Sequence, residues 1–178
     1  NTQMLTCQSN RLIDNSSNNF AITKNGDTTV SSAHPFTTPT TASYNTQYSI
    51  TFDGTGDYIT VPSNSAFTLG TSDHTIEFWM YLTGAQGAYA TPWKYSSGST
   101  QQATNDYYFY AGSAGGASFG LLLGGSGSWA VNISNSASYT AALNTWTHVA
   151  ITRSGNTFRL FANGTQVGSS GTYAGSIG

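Results

Sequence analysis

Apolar and polar positions alternate in the sequence WTHVAIT, residues 146–152. Val149 and Ile151 fall on one side of the chain, while His148 and Ala150 fall on the other. Successive side chains of a β-strand point to opposite faces, so this alternation predicts a strand with one apolar face.

A second run, residues 157–162, has Phe158 and Leu160 in phase and ends at Asn163-Gly164. An Asn-Gly pair is a strong hairpin signal, because a type I′ turn needs a positive φ angle at both central residues. We therefore expect a further strand, 165–167, to return beside the second one and to complete an antiparallel meander.

Similar short runs, separated by turn signals, occur along the whole chain. The predicted elements are strands at 3–7, 75–82, 106–111, 118–123 and 128–133, hairpins of 18–23 with 29–32 and of 48–52 with 58–61, a helical turn at 64–69 capped by Ser63 or Asn64, and a loop at 84–99. The residues expected in the buried layer are Ile76, Phe78, Met80, Val149, Ile151, Phe158 and Leu160. Many short strands with turns between them predict an all-β sandwich or barrel.

Charge and composition exclude several classes of protein. Only 7% of the 178 residues are charged, with five Lys+Arg against seven Asp+Glu, so we expect no nucleic-acid partner. Aromatic residues make up 13%, which argues against disorder. No apolar run approaches the ~20 residues of a spanning helix, so we expect no membrane insertion. Cys7 is the single cysteine, and we expect it to be a small buried residue of the first strand.

Two segments carry a resemblance to a known family. They are SITFDGTGDYITVPSNSAFTLGTSDHTIEFWMYL, residues 49–82, and NTWTHVAITRSGNTFRLFANG, residues 144–164. In order and spacing they resemble the laminin-G-like branch of the concanavalin A-like lectin/glucanase superfamily. The resemblance covers residues 45–178 and implies a two-sheet antiparallel jelly-roll sandwich. Residues 1–44 would then supply N-terminal strands and a Pro/Thr-rich connector that packs on the sandwich.

The two ends of the chain add further expectations. The lead-in, residues 5–36, is similar to segments that precede such modules in structural proteins of marine tailed-phage virions. Domains that resemble this one continue with closing C-terminal strands, and no such strand follows Val167. Either the chain is truncated, or a neighbouring copy supplies a strand at the edge near Leu5 and builds a fibre of identical subunits.

Superfamily glucanases cleave with two carboxylates, and the sequence does not support that chemistry here. A retaining glycosidase holds these groups ~5–5.5 Å apart. Glu77 is the single glutamate, and Asp73, four residues earlier, lies in a predicted turn. The chain also has no GxSxG elbow and no histidine pair at zinc-ligand spacing. We expect no enzymatic activity, with Glu77 as a hydrogen-bonding residue of a sheet face.

Calcium is the metal that deserves a test, because Asp53 and Asp57 flank the sequence Gly-Thr-Gly. A hard cation could take both carboxylates together with loop carbonyls. The other interpretation is that the two side chains satisfy turn amides and close the loop. Asp27 and Asp106 are weaker candidates for the same role.

Sugar binding requires accessible aromatic rings beside hydroxyl and amide groups. Trp93 and Tyr95 lie in the predicted Gly-rich loop, and Tyr108 lies on a strand with aromatic residues on both faces. These three residues are the predicted glycan ligands. Trp79, Trp129 and Trp146 are expected to pack between the sheets.

The sequence thus leaves three functions open. The first is a non-catalytic structural or adhesion module on the surface of a virion or in another extracellular appendage, with glycan-binding capacity and identical subunits as partners. The second is a carbohydrate-binding module of a secreted enzyme. The third, a glycoside hydrolase, is disfavoured by the missing second carboxylate.

Overall fold

A computed structural model describes residues 2–36, 47–84, 86–87, 90–96, 106–113, 116–124, 128–133 and 139–177. The chain forms two compact units, residues 1–67 and 68–178. The predicted domain boundary between residues 44 and 45 falls outside the described ranges and stays a prediction. Among the described residues, no helix is long and apolar enough to cross a membrane.

The first unit contains four three-residue strands in its described part. They are β1 (Thr23–Asn25), β2 (Thr29–Ser31), β3 (Ser49–Thr51) and β4 (Tyr58–Thr60). The two hairpins expected here do not form, because β1 pairs with β4 and β2 pairs with β3, both antiparallel. The connection after β1 and the connection after β3 are thereby brought together.

A glycine permits this close approach of the two connections. Gly26 has a φ angle of +70°, and a Cβ atom there would lie 3.0 Å from the carbonyl oxygen of Gly56. Asp57 would obstruct the same Cβ atom. A larger residue at position 26 would push the two connections apart. The glycine at this position therefore permits the observed pairing of β1 with β4 and of β2 with β3.

The strand predicted at residues 3–7 is wrong. Cys7 has a φ angle of 66°, which breaks an extended backbone, and its side chain is only half-buried. The segment is held instead by the Asp14 carboxylate, which accepts hydrogen bonds from the amides of Leu5, Ser16 and Phe20. Because one side chain supplies these acceptors, the segment needs no strand partner.

The helical turn is confirmed as a 3-10 helix, Ser65–Phe67. The Asn64 side chain caps it by accepting a hydrogen bond from the amide of Ala66 at 2.9 Å. An N-cap side chain satisfies a donor that has no partner inside the helix.

The second unit is a sandwich of two antiparallel sheets. Its strands are β5 (His74–Tyr81), β6 (Ala90–Tyr95), β7 (Tyr107–Ser113), β8 (Gly116–Gly124), β9 (Trp129–Ile133), β10 (Trp146–Ser154), β11 (Thr157–Ala162) and β12 (Thr165–Thr172). In the β5 sheet the strand order is β12-β11-β10-β5, and in the β7 sheet it is β6-β7-β8-β9. The all-β, two-sheet fold class is confirmed, and the arrangement agrees with a concanavalin A-like jelly roll.

The predicted phase of the core strands is confirmed. Val149, Ile151, Phe158 and Leu160 have no exposed surface, and Met80 retains 8%. Ile76 and Phe78 are partly buried and pack against the same core. The hairpin between β11 and β12 has φ angles of 48° at Asn163 and 80° at Gly164, as a type I′ turn requires.

The loop predicted at 84–99 is wrong over part of its length, since residues 90–95 form β6. The β6 strand pairs with β7 and carries Trp93 and Tyr95 on its core side, where both pack against the core. The Trp93 ring lies 5.3 Å from that of Tyr107 in an edge-to-face contact. Glycine-rich flanks suggested a loop, but the period-2 placement of two aromatic rings follows the strand.

Candidate functional site

The outward side of the β5 sheet carries an aromatic surface, here called the aromatic face. It consists of Trp79, Tyr81, Trp146, His148 and Phe161. The strand register places Trp146 beside Tyr81 and His148 beside Trp79. The side chains of Trp79 and Tyr81 are 40% and 41% exposed. The expectation that Trp79 and Trp146 pack between the sheets is therefore wrong.

The four rings of β5 and β10 form two tilted pairs. The centroids of Tyr81 and Trp146 are 5.3 Å apart, with an angle of 60° between the ring planes. Those of Trp79 and His148 are 5.0 Å apart, at 51°. Cross-strand aromatic contacts stabilise a sheet by up to ~1 kcal/mol each, so neighbouring rings hold one another in place. The two inclined rings of each pair form an angled surface that is partly exposed to solvent, here called a cradle.

Glu77 lies at the edge of the aromatic face with its side chain 64% exposed. Its carboxylate is 3.5 Å from Nε2 of His148, within reach of an ion pair when the imidazole is protonated. The expectation that Glu77 is a polar sheet-face residue agrees with this position. In the described strands the register partner of Glu77 is Ala150 and not a second carboxylate, whereas a retaining glycosidase uses two.

Tyr108, a predicted glycan ligand, lies on the outward side of the β7 sheet and is half-buried. Its hydroxyl donates to the buried Asp106 carboxylate at 3.0 Å, and Ser96 donates to that carboxylate at 3.1 Å. Burial, followed by the hydrogen bond to Asp106, raises the pKa of Tyr108. The Trp129 ring meets the Tyr108 ring edge to face at 5.8 Å, so Trp129 also differs from the expected inter-sheet packing.

Trp93 and Tyr95, the other two predicted ligands, do not join Tyr108. They lie on the core side of β6, whereas Lys94 is the β6 residue in register with Tyr108. The prediction that they are accessible rested on a loop at residues 84–99, but residues 90–95 form the strand β6. Their role in ligand binding stays a prediction, and the structure places neither of them on the outward side of the β7 sheet, where Tyr108 lies.

Three carboxylates meet where the two connections of the first unit touch. Asp27, Asp53 and Asp57 each place one oxygen within 4.8 Å of the others. Asp53 accepts a hydrogen bond from the amide of Thr55 at 2.6 Å, and Asp57 accepts one from the amide of Asp53 at 2.8 Å. These contacts close the loop, as the second interpretation of the sequence requires.

The same cluster has the oxygen chemistry that calcium prefers. Oδ1 of Asp57 is enclosed and has no hydrogen-bond partner in the described part of the chain. Contact with the Asp57 carboxylate, and the charges of Asp53 and Asp57, raise the pKa of Asp27. Three side-chain oxygens fit the first part of a coordination shell of six to eight, which carbonyls and water would complete. The assignment of calcium to Asp53 and Asp57 stays a prediction.

The aromatic face was not predicted as a site, although its signal was present in the sequence. The alternation in residues 75–82 already places Trp79 and Tyr81 opposite the apolar positions. Trp146 and His148 alternate in the same way with Val149 and Ile151. Pairing of β5 with β10 then collects all four rings on one surface.

Comparison with known proteins supports the fold. Residues 53–177 match the family model of the laminin G-like group described as the concanavalin A-like lectin/glucanases superfamily. Comparison with curated proteins finds no match, so the expected similarity of residues 5–36 to virion proteins has no support.

A solved structure shares the fold at low identity. The chain is similar to domain 4 of AbnA, an extracellular GH43 arabinanase from Geobacillus stearothermophilus solved in complex with arabinotriose. The identity is 16%, the TM-score is 0.54, and the match covers 92% of this chain and 71% of the other. With the family model matched over most of the two-sheet sandwich, the chain belongs to the concanavalin A-like lectin/glucanases superfamily.

Proposed function

We propose that this chain is a non-catalytic glycan-binding module that binds its ligand on the aromatic face. The observation that carries the proposal is the exposure of Trp79 and Tyr81 at 40% and 41%, beside Trp146 and His148. Sugar rings have apolar faces and polar edges, so they fit exposed aromatic rings that have hydrogen-bonding groups beside them.

The energetics of the surface support this choice. Burial stabilises by about 25 cal/mol for each Å² of apolar surface, so two large rings that stay exposed leave this free energy ungained on folding. A ligand that covers the rings recovers that free energy on binding. Clustered exposed apolar side chains mark interaction surfaces more often than scattered ones do.

The polar groups around the rings suit a hydroxyl-rich ligand. Glu77 offers an exposed carboxylate at one side of the aromatic face. Gln166, which is exposed and in register with Phe161, donates to Ser170 and Gly168 through its nitrogen, and its amide also carries a carbonyl oxygen that can accept hydrogen bonds. A neutral glycan can donate its hydroxyls to both groups.

The structural neighbour supports sugar binding. The structural neighbour belongs to an arabinanase and was solved with arabinotriose, which shows a sugar ligand on a related fold. In the present chain Glu77 faces the His148 imidazole. A module that holds a glycan close to another component is therefore the simplest function, and both an adhesive appendage and a secreted enzyme are settings in which it would serve.

The first experiment measures binding to soluble polysaccharides by affinity gel electrophoresis, with arabinan, xylan, galactan, mannan and mixed-linkage glucan as probes. We expect the wild-type chain to be retarded by at least one of them. Trp79→Ala should weaken binding about 10-fold, equivalent to about 1.4 kcal/mol, because it removes one ring of a cradle.

Phe52→Ala is the matched control, since Phe52 is 47% exposed and lies in the first unit. It should leave the binding unchanged. Tyr108→Ala tests the competing surface on the β7 sheet. Loss of binding in Tyr108→Ala with full binding in Trp79→Ala would move the site to that sheet, and a wild-type chain that binds none of the five polysaccharides would contradict the proposed function.

A further inference from the structure

The aromatic face is one end of a longer strip along β5, β10 and β11. The register gives four rows of outward-facing residues, and successive rows on a strand lie about 7 Å apart. The rows are Tyr81 with Trp146, Trp79 with His148, Glu77 with Ala150 and Phe161, and Thr75 with Thr152 and Arg159. The strip is therefore about 20 Å long and changes from aromatic to polar along its length.

The short side chain of Ala150 leaves a depression in the third row, here called the low point. It is half-exposed, it pairs with Glu77 on one side and Phe161 on the other, and His148 precedes it on the same face of β10. Each of these neighbours has a far longer side chain than alanine. A ligand that leaves the aromatic rings can therefore pass between Glu77 and Phe161 and reach the polar row.

We infer that the strip binds an internal stretch of a linear polysaccharide that runs parallel to β5 and β10, with Ala150 as the residue that admits the chain. This inference rests on the proposed function and adds the ligand class. Sugar units stack in the two cradles, and the following units pass over Ala150 to the hydroxyls of Thr75 and Thr152. Affinity thus depends on chain length.

The tilt of the rings restricts the ligand further. The planes within the two pairs are inclined at 60° and 51°, so the rings do not share a plane. A flat crystalline surface needs coplanar rings to make contact with several at once, whereas a single dissolved chain can turn from one ring to the next. The strip is suited to soluble chains.

The test uses the polysaccharide found in the binding panel, cut into oligosaccharides of two to eight units. Isothermal titration calorimetry of the wild-type chain should show affinity that rises at least 10-fold between the disaccharide and the hexasaccharide. Ala150→Leu, which fills the low point, should weaken binding of the hexasaccharide at least 10-fold and binding of the disaccharide less than 3-fold. Ala66→Leu makes the same change at a half-exposed alanine of the 3-10 helix in the first unit and should bind both oligosaccharides as the wild type does.

NMR shift mapping on the unmutated chain gives a second readout that does not depend on the folding of a variant. The disaccharide should perturb the amides around Trp79 and Trp146, and the hexasaccharide should also perturb Thr152. Equal affinities for short and long oligosaccharides, or an Ala150→Leu variant that binds the hexasaccharide normally, would overturn the inference while leaving the glycan-binding function intact. Microcrystalline cellulose that sediments the chain as strongly as the soluble polymer retains it would overturn the single-chain restriction.

Discussion

At the scale of single residues, Asp14 shows how one carboxylate replaces regular structure. It is 3% exposed and accepts hydrogen bonds from the amides of Leu5, Ser16 and Phe20 and from the Ser16 hydroxyl. Burial by itself raises the pKa of Asp14, but these hydrogen bonds outweigh it and lower the pKa from 3.8 to about 2. The ionised form is therefore the one that holds the N-terminal segment.

The lowered pKa of Asp14 predicts a pH-dependent stability. Because the folded pKa lies below the unfolded value of 3.8, the stabilisation is complete above about pH 5 and is lost as the pH falls through about 2. The fall of the pKa from 3.8 to about 2 corresponds to about 2 kcal/mol of stability at neutral pH. Asp14→Asn should accelerate hydrogen exchange at the amides of Leu5, Ser16 and Phe20 at pH 7, and the difference from wild type should shrink steadily below about pH 4 and be small at pH 2.

Hydrogen exchange is the suitable probe for Asp14, because all four tryptophans follow residue 67 and their fluorescence reports on the second unit. Asp73→Asn is a control in that second unit and should leave exchange at these three amides unchanged. A difference between Asp14→Asn and wild type that persists unchanged from pH 7 to pH 2 would contradict the assigned role.

At the scale of elements, the pairing of β1 with β4 and of β2 with β3 determines the surroundings of Asp27. In two separate hairpins Asp27 would lie far along the chain from Asp53 and Asp57, with no required contact. The nested pairing, with the β2-β3 ladder inside the β1-β4 ladder along the sequence, brings the three carboxylates within 4.8 Å of one another. The close approach of the Asp27, Asp53 and Asp57 carboxylates thus depends on which strands pair in the first unit.

The contact between these carboxylates predicts the effect of Asp27→Asn. The pKa of Asp27 is raised by the Asp57 carboxylate and by the charges of Asp53 and Asp57, so the contact is favourable while Asp27 is protonated and unfavourable once the pH rises above its pKa. In EDTA at pH 7 the variant should melt a few degrees higher than the wild type at most, and the gain should disappear near pH 3.

Calcium provides the second arm of the Asp27 experiment. If calcium binds the cluster, millimolar calcium chloride raises the melting temperature of the wild type, and Asp27→Asn reduces the rise. Magnesium at the same concentration is the control for ionic strength. A melting temperature that is equal in calcium, magnesium and EDTA would contradict the predicted calcium site and leave loop closure as the role of Asp53 and Asp57.

At the scale of the whole molecule, Arg153 ties together parts of the second unit that are distant in sequence. It is 2% exposed, and its guanidinium donates to the carbonyls of Gly155 at 2.9 Å, Gly70 at 2.8 Å and Tyr173 at 3.4 Å. Its Cζ atom also lies 5.1 Å from the centre of the Phe158 ring. Carbonyl dipoles and a ring face, contributed by three segments, thus surround the charge.

Replacement of Arg153 should destabilise the second unit. Arg153→Met keeps most of the volume but leaves the carbonyls without their donor, which costs about 2–4 kcal/mol. Unfolding in urea, followed by tryptophan fluorescence, should show the corresponding shift of the midpoint. Arg159→Met, on the half-exposed outer side of β11, should change stability by less than about 0.5 kcal/mol, and an equal effect of the two substitutions would contradict the role of Arg153.

The sequence by itself determined the elements whose signals are local. The alternation of Val149 and Ile151, the Asn163-Gly164 turn and the Asn64 cap depend on neighbours within a few residues, and the structure confirms all three. The two-sheet fold class followed from the same alternation together with the family resemblance. The outward positions of Trp79 and Tyr81 were also present in that pattern.

The tertiary structure alone decided which strands pair, and the candidate sites follow from that pairing. The aromatic face exists because β5 lies beside β10, although more than 60 residues separate them in the chain. The partial burial of Trp93 depends on β7, and the approach of Asp27 to Asp57 depends on the nested β1-β4 and β2-β3 ladders. Strand pairing between distant segments depends on the combined burial of both partners and on the cost of closing the intervening loop, and neither quantity is encoded in one strand alone.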